Sequence, residues 1–284
     1  MTEYIKMIII ALVCGFMAPL PTSSSAHYSL INEAVSFASD ENKLGFYFAL
    51  FGVTFSVVVF FCLRKIYIKT LTSIFKKKSP NGDSLKVYKN VAKNIFLSII
   101  PMALLFIPTG DGTLLIDYFD KFLLGNGLYL TGFACIINAL VLVVARWYAK
   151  QENRKLKRVC GTMSALRMSF YQLVSYIVPG FSHVASGATN MLMSDVHTKV
   201  IMREVYLYLA PSMFIVNIVK IVRYLIEDTI IDAVMAVIGI VIFAIISYIV
   251  MRLVAKFNAK KTLAFFSVYS AILGVGAIVL TFVI

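Results

Sequence analysis

Pro19-Leu20-Pro21-Thr22-Ser23-Ser24-Ser25-Ala26-His27 interrupts an apolar N-terminal segment, and Pro179-Gly180-Phe181-Ser182-His183-Val184-Ala185-Ser186-Gly187 interrupts a second one. Each break lies between two short apolar helices: Ile8–Met17 and Tyr28–Phe37 around the first, Met168–Val178 and Ala188–Val196 around the second. None of the four reaches the ~20 residues that a helix needs to cross a ~30 Å hydrocarbon core. Each pair therefore reads as a hairpin that enters the bilayer and returns on the same side.

Working outward, longer apolar runs surround the two breaks. Residues 44–63, 124–146, 205–226, 230–250 and 263–284 are each long enough to span. Residues 95–108 form a shorter apolar run between two solvent loops and are counted as a sixth span. With 60% hydrophobic residues in 284, the chain reads as one membrane-embedded unit, not as two soluble domains. The expected fold is an all-α polytopic membrane protein with two inverted-topology repeats. Each repeat is a re-entrant helical hairpin plus three transmembrane helices: hairpin 4–40 within residues 1–147, and hairpin 163–197 within residues 163–284.

Charge supports that topology. A formal charge of +13 raises nucleic acid as a partner, but the basic residues gather in loops at span ends. One loop runs from Arg64 to Lys93, another from Arg146 to Arg158, and a third from Arg252 to Lys261. Between them stand acidic loops with Asp111, Asp117 and Asp120, and with Glu227, Asp228 and Asp232. That alternation satisfies the positive-inside rule at every turn, with the basic loops cytoplasmic and both chain ends outside. It excludes a nucleic-acid face. Cys14, Cys62, Cys135 and Cys160 are too scattered for a disulfide scaffold or a zinc site. A competing reading takes the first 26 residues, with Lys6, an apolar run and Ser24-Ser25-Ala26, as a cleavable signal peptide. The matching break in the second half argues against it.

Inverted repeats with broken helices place their binding site between the repeats, near the midplane. Ser23, Ser24 and Ser25 precede the second helix of one hairpin and Ser186 that of the other. Helix N-termini there favour a phosphate over a cation, although each serine serves equally well as a helix cap. His27 is an ionisable group inside a membrane segment, which points to function, against the alternative of a histidine satisfied by a nearby carbonyl. His183 stands at the matching break. Glu33 and Asp195 lie about two turns along the second helices, where they could ligate a metal or face water.

The first break resembles the FLPVSSSGH signature of the bacterial undecaprenyl-diphosphate phosphatase (bacitracin-resistance) family. The second resembles that family's PGFSRSGAT signature, and the hairpin-plus-three-spans repeat resembles its fold across essentially the whole chain. The resemblance implies hydrolysis of undecaprenyl diphosphate to recycle the lipid carrier of peptidoglycan precursors at the bacterial inner membrane. It implies Ser24 as nucleophile or phosphate ligand, His27 as general base or acid, and Ser23, Ser25, Ser182, His183 and Ser186 as contacts to substrate phosphate. Its partners are then a polyprenyl phosphate or diphosphate lipid and the bilayer, with a homo-oligomer left open. The family's cofactor is Mg²⁺ or Ca²⁺. Yet Cys14 and Ala18 stand where its two glutamates are expected, and an arginine of the second signature is missing, with His183 in its place in an ungapped alignment. Histidine lacks arginine's bidentate fork. A non-hydrolytic relative that binds or flips polyprenyl phosphate is the alternative.

Overall fold

The computed structural model describes all residues except 1, 36, 38–40, 76–81, 111, 120–126, 150–158, 179, 228, 230, 255–258 and 283–284, with backbone alone at 41, 82–84, 127, 149 and 259–262. Pro179 of the second break, the outer ends of three expected spans, and most of the second basic loop lie outside the described residues. So do Lys76, Lys77, Lys78, Asp111, Asp120, Asp228 and Lys256.

The described chain is helical: α1 (Glu3–Met17), α2 (Ser24–Val35), α3 (Glu41–Cys62), α4 (Arg64–Phe75), α5 (Gly82–Ile99), α6 (Gly127–Ala149), α7 (Thr162–Ile177), α8 (His183–Met193), α9 (Ile201–Ile226), α10 (Ala233–Val254) and α11 (Ala259–Thr281). Six helices are long and apolar enough to cross a membrane: Asn42–Cys62, Leu85–Phe106, Leu128–Tyr148, Ile201–Ile226, Ala233–Val254 and Leu263–Thr281. The chain is a multi-pass membrane protein. α10 shows why. Val234, Val237, Val241, Ile245 and Ile249 are exposed on one side, while Met235, Gly239, Phe243, Ser247 and Val250 are buried on the other. A helix apolar all round, with its larger outward side chains uncovered, suits lipid on that face.

Three expectations need correction. The second span does not begin at Ile95: α5 starts at Gly82 and continues as a 3₁₀ stretch from Ile100 to Phe106. Lys86, Lys89 and Lys93 sit on the exposed side of α5 and therefore do not end it, while Pro101 falls where the helix tightens. The basic loop after α3 contains an unexpected amphipathic helix, α4, whose Ile68, Leu71, Ile74 and Phe75 are exposed. Finally, α9 begins four residues before Val205 and includes Arg203 and Glu204. The Glu204 carboxylate is buried but paired with Arg203 at 2.8 Å, and it accepts from the Cys160 backbone N–H and the Tyr208 hydroxyl, both at 3.4 Å. The ion pair and these hydrogen bonds offset part of the cost of burying that charge.

Packing joins the two halves of the chain repeatedly. α3 lies against α9, and α6 against α11; α1 lies against α10, and α7 against α5. α3 also touches α10, and α9 touches α5. The α6–α11 contact is close because Gly132 and Gly274 face each other across it. A Cβ on Gly132 would stand 2.7 Å from the Gly274 carbonyl oxygen, and one on Gly274 2.6 Å from that of Gly132. Small residues that let backbones approach in this way are a common basis of helix association in lipid.

Candidate functional site

Both breaks end in a capped helix, but the caps differ from expectation. Ser23 caps α2, its Oγ accepting the Ala26 backbone N–H at 3.1 Å, so Ser24 and Ser25 belong to the first turn. α8 is capped by Ser182, whose Oγ accepts the Ala185 N–H at 3.1 Å. Ser186 therefore lies inside α8 and does not precede it; its hydroxyl donates to the His183 carbonyl at 3.1 Å. The side chain best placed to accept the first free N–H groups sits one residue before each helix, and this decides which serine caps.

The two breaks are bonded to each other. Ser182 Oγ donates to the Thr22 carbonyl oxygen at 2.7 Å, and the Gly180 N–H donates to Ser25 Oγ at 3.1 Å. Ser25 and Ser23 share a hydroxyl–hydroxyl bond of 2.9 Å. Gly180 adopts φ +90 and packs its α-carbon against the Thr131 carbonyl of α6, where a side chain would be both strained and obstructed. Tyr206 of α9 fixes the start of the first break by donating to the Pro19 carbonyl at 2.5 Å.

Beside these joined turns lies a cavity of about 400 Å³. Its wall carries hydroxyls and other polar groups, among them Thr22, Ser23, Ser24, Ser25, Ser182 and His183. The same lining includes the large apolar side chains Leu44, Phe48, Phe51, Phe55, Met213 and Phe243. The volume falls in the range of small-ligand pockets, roughly 300–1,000 Å³. Gly45 and Gly52 of α3 leave room for Tyr224 and Asn217 of α9, which line the same space.

The expected site residues divide into two groups. Ser23, Ser24, Ser25, Ser182 and His183 line the cavity together. Ser24 makes no side-chain hydrogen bond among the described residues. His27 and Ser186 are not part of that wall; Ser186 lines a second, apolar depression with Thr189 and Met193. The His27 ring is buried, with Nδ1 2.6 Å from the Ser23 carbonyl oxygen and Nε2 2.6 Å from the Tyr269 hydroxyl of α11, against whose ring it stacks. A carbonyl only accepts, so Nδ1 carries the proton, and in the neutral ring Nε2 accepts from the phenol. Both nitrogens are thus engaged away from Ser24. Glu33 is exposed on the cavity rim, and Asp195 follows α8 with φ 61.

Two participants, Thr22 and Lys220, escaped the sequence reading, while His183 was expected. Thr22 and His183 each present a buried polar atom, Oγ1 and Nδ1, without a hydrogen-bond partner among the described residues. Lys220 of α9 also lines the cavity. A signal for it existed: it is an ionisable residue inside an expected span.

The donors described on this wall do not suit a divalent cation. Cys14 and Ala18 line the cavity where carboxylates were expected, and Glu33 is the single carboxylate on its described wall. Nine residues of helix separate Glu33 from Ser24, about 13 Å along the axis, too far to serve one phosphate together. Among the described residues no group of three His, Cys, Asp or Glu side chains is placed to hold a metal. Ca²⁺ takes about 6–8 oxygen ligands, and Mg²⁺ commonly one or two carboxylates beside the substrate phosphates.

The chain is similar along nearly its whole length to known proteins. "Undecaprenyl-diphosphatase 1" of Pseudoalteromonas translucida (strain TAC 125) is 27% identical over 278 residues, covering 97% of each chain. "Undecaprenyl-diphosphatase" of Fusobacterium nucleatum subsp. nucleatum is 26% identical over 284 residues, covering 97% of this chain and 100% of that one. The enzyme of the same name from Enterococcus faecalis is 24% identical, covering 98% and 97%. The family profile described as "Bacitracin resistance protein BacA" matches residues 7–276, nearly the full length, and the chain belongs to that family.

Proposed function

We propose that this protein binds the phosphate or diphosphate headgroup of a polyprenyl lipid in the cavity beside the joined breaks, as an undecaprenyl-diphosphatase-like protein of lipid-carrier recycling. One observation carries this reading. The Ser182–Thr22 hydrogen bond brings two hydroxyl-rich turns, 160 residues apart in sequence, onto a cavity that large apolar side chains such as Leu44, Phe48, Phe51, Phe55 and Phe243 also line. Hydroxyls and large apolar side chains lining one cavity suit an amphipathic anion with an isoprenoid tail.

The same reading places residues 1–147 and 163–284 as inverted repeats, with 4–40 and 163–197 as re-entrant hairpins and both ends outside a bacterial inner membrane. Reciprocal packing supports it: α1 on α10 answers α7 on α5, and α3 on α10 answers α9 on α5. Equivalent helices also meet in the α3–α9 and α6–α11 pairs, which suits a pseudo-two-fold axis passing between them.

In the hydrolytic form of this function, Ser24 acts as nucleophile or phosphate ligand at the terminal phosphorus. The bond from that phosphorus to the bridging oxygen breaks, and the lipid monophosphate departs with the bridging oxygen. Water supplies the oxygen that ends on inorganic phosphate. His27 acts through the turn, since its ring fixes the Ser23 carbonyl immediately before Ser24. A second reading, binding or flipping of the lipid without hydrolysis, is favoured by Cys14 and Ala18 on the cavity wall. Phosphoryl transfer depends on positioning and charge neutralisation, and carboxylate-held metal is one source of the latter.

Phosphate release from undecaprenyl or farnesyl diphosphate by the purified protein tests the first reading, with Ser24→Ala as background. Turnover that Ser24→Ala abolishes supports hydrolysis. Lipid binding without release above that background leaves the second reading, which headgroup flipping in proteoliposomes then tests. Absence of both binding and release sinks the proposal.

A further inference from the structure

We propose that Lys220 is the fixed cation that neutralises the bound headgroup, and that anion binding in this cavity needs no divalent metal. The inference rests on the lipid-phosphate reading above and assigns its charge.

Lys220 lies within α9, six residues before its end, on the face that carries Asn217 and Tyr224. All three line the cavity at the spacing of one helical face. Lys220 is the one lysine or arginine among the described residues of that wall, and Glu33 the one carboxylate. Glu33 is exposed on α2, some two and a half turns beyond the serines. The described cation and the described carboxylate of the wall therefore lie on different helices, with Glu33 exposed at the rim. An ionisable residue in a membrane span faces a protein or water-filled interior and marks a ligand or ion path.

A second, independent observation points to an anion. Thr22, 3% exposed, lines the cavity with no partner for its hydroxyl, and His183 Nδ1 is buried without one. Buried polar atoms are almost always hydrogen-bonded, so two unpartnered atoms on one cavity wall indicate a missing polar ligand. A threonine hydroxyl donates, and so does His183 Nδ1 in the tautomer that carries its proton there. Together with the Ser24 hydroxyl and the Lys220 ammonium they form a set of donors. Phosphate oxygens complete such a set; a metal cation does not. A lysine serves phosphate as a mobile point charge, where arginine would impose a planar fork. That chemistry answers the missing arginine and carboxylates at once.

Full-length protein in nanodiscs, stripped with EDTA, is titrated with farnesyl diphosphate and with farnesol. The wild type is expected to bind the diphosphate equally well with EDTA and with added Mg²⁺. Lys220→Met is expected to weaken diphosphate binding by about 30-fold or more, the scale for losing one partner of a desolvated charge pair. Lys220→Arg restores most of it, and neither substitution moves farnesol binding, which reports an intact cavity. Thr22→Val, close in shape and lacking only the hydroxyl, is expected to weaken the diphosphate several-fold and provides a second probe should Lys220→Met not fold. Unchanged diphosphate affinity in both Lys220→Met and Thr22→Val, or wild-type binding that disappears in EDTA, overturns this inference while leaving the lipid-phosphate reading standing. Wild-type protein that binds no farnesyl diphosphate in either condition overturns both.

Discussion

Ser182 donates its hydroxyl hydrogen to the Thr22 carbonyl oxygen at 2.7 Å while its lone pair caps α8 through the Ala185 N–H. One side chain therefore serves both its own helix and the turn opposite. Ser182→Ala removes the cap and leaves the Thr22 carbonyl without that donor. A lost cap costs about 0.5–2 kcal/mol and a lost hydrogen bond about 0.5–1.5 kcal/mol. The expected result is a thermal transition lowered by several degrees and weaker farnesyl diphosphate binding. A variant with wild-type melting and binding would show that the breaks are held together by other contacts.

His27 and Tyr269 pair across 242 residues of sequence, at 2.6 Å. Tyr269→Phe keeps the stacked ring and deletes only the phenol oxygen, so Nε2 loses its partner. We expect about 1 kcal/mol of destabilisation from Tyr269→Phe and a coupling of similar size to His27→Gln in a double-mutant cycle. A coupling of zero would separate His27 from Tyr269 energetically and return its ring to consideration as a mobile base.

Much of the frame was legible in the chain, and the reason is locality. Six apolar runs and two Pro/Ser breaks are properties of 10–25 neighbouring residues, and the described helices follow them. α4 was hidden because Arg64, Lys65 and Lys69 mark a solvent loop by charge, while Ile68, Leu71 and Ile74 make a helical stripe only when spacing is considered. Lys220 was hidden because a span is judged by its average, in which one lysine among isoleucines and valines disappears. The Tyr269 partner of His27 and the unpartnered Thr22 hydroxyl have no local signature. Both depend on which distant segments meet.

Gly132 and Gly274 offer a test of the α6–α11 contact. Gly274→Ala directs a methyl group at a carbonyl oxygen 2.6 Å away, and backbone cannot yield as a side chain can. Overpacking of this kind costs about 1–3 kcal/mol. The expected outcome is a lowered melting temperature in detergent for Gly274→Ala, against no change for Gly276→Ala, where a Cβ meets nothing within 4 Å. Equal effects at the two positions would refute the close approach.

Outside the spans, Asp232 sits at the N-terminus of α10, accepting the Met235 N–H at 3.0 Å and the Tyr4 hydroxyl at 2.8 Å. The Met235 N–H, followed by the Tyr4 hydroxyl, holds its carboxyl below the ordinary carboxylate range. A depressed folded-state pKa stabilises the fold above the unfolded value, and that contribution fades as pH falls through the folded value. Stability of the wild type is therefore expected to drop on acidification from about pH 6 to about pH 2 more steeply than that of Asp232→Asn. Parallel pH profiles for the two proteins would exclude Asp232 as a source of acid sensitivity.

Cys14 of α1 and Ala18, the residue that caps its C-terminal end with its N–H on the Cys14 carbonyl, are four residues apart and both line the cavity, so their side chains share one face. Cys14→Glu with Ala18→Glu places two carboxylates there, one turn apart, beside the Ser24 hydroxyl. If their absence is what limits phosphoryl transfer, the double variant gains phosphate release that depends on Mg²⁺ or Ca²⁺. A gain of about 10²–10³-fold over wild type is the scale of one restored electrostatic group, roughly 3–4 kcal/mol of barrier. Cys14 is 1% exposed, so an added carboxylate there loses hydration and the empty variant is expected to be less stable than wild type. Divalent metal should recover that stability, a shift readable by thermal unfolding without any turnover. Metal stabilisation without phosphate release would show that the carboxylates rebuild a metal site while the chemistry is limited elsewhere, at the missing arginine. Neither effect would mean that α1 does not present these two positions to one ligand, and the cavity geometry itself would then be wrong.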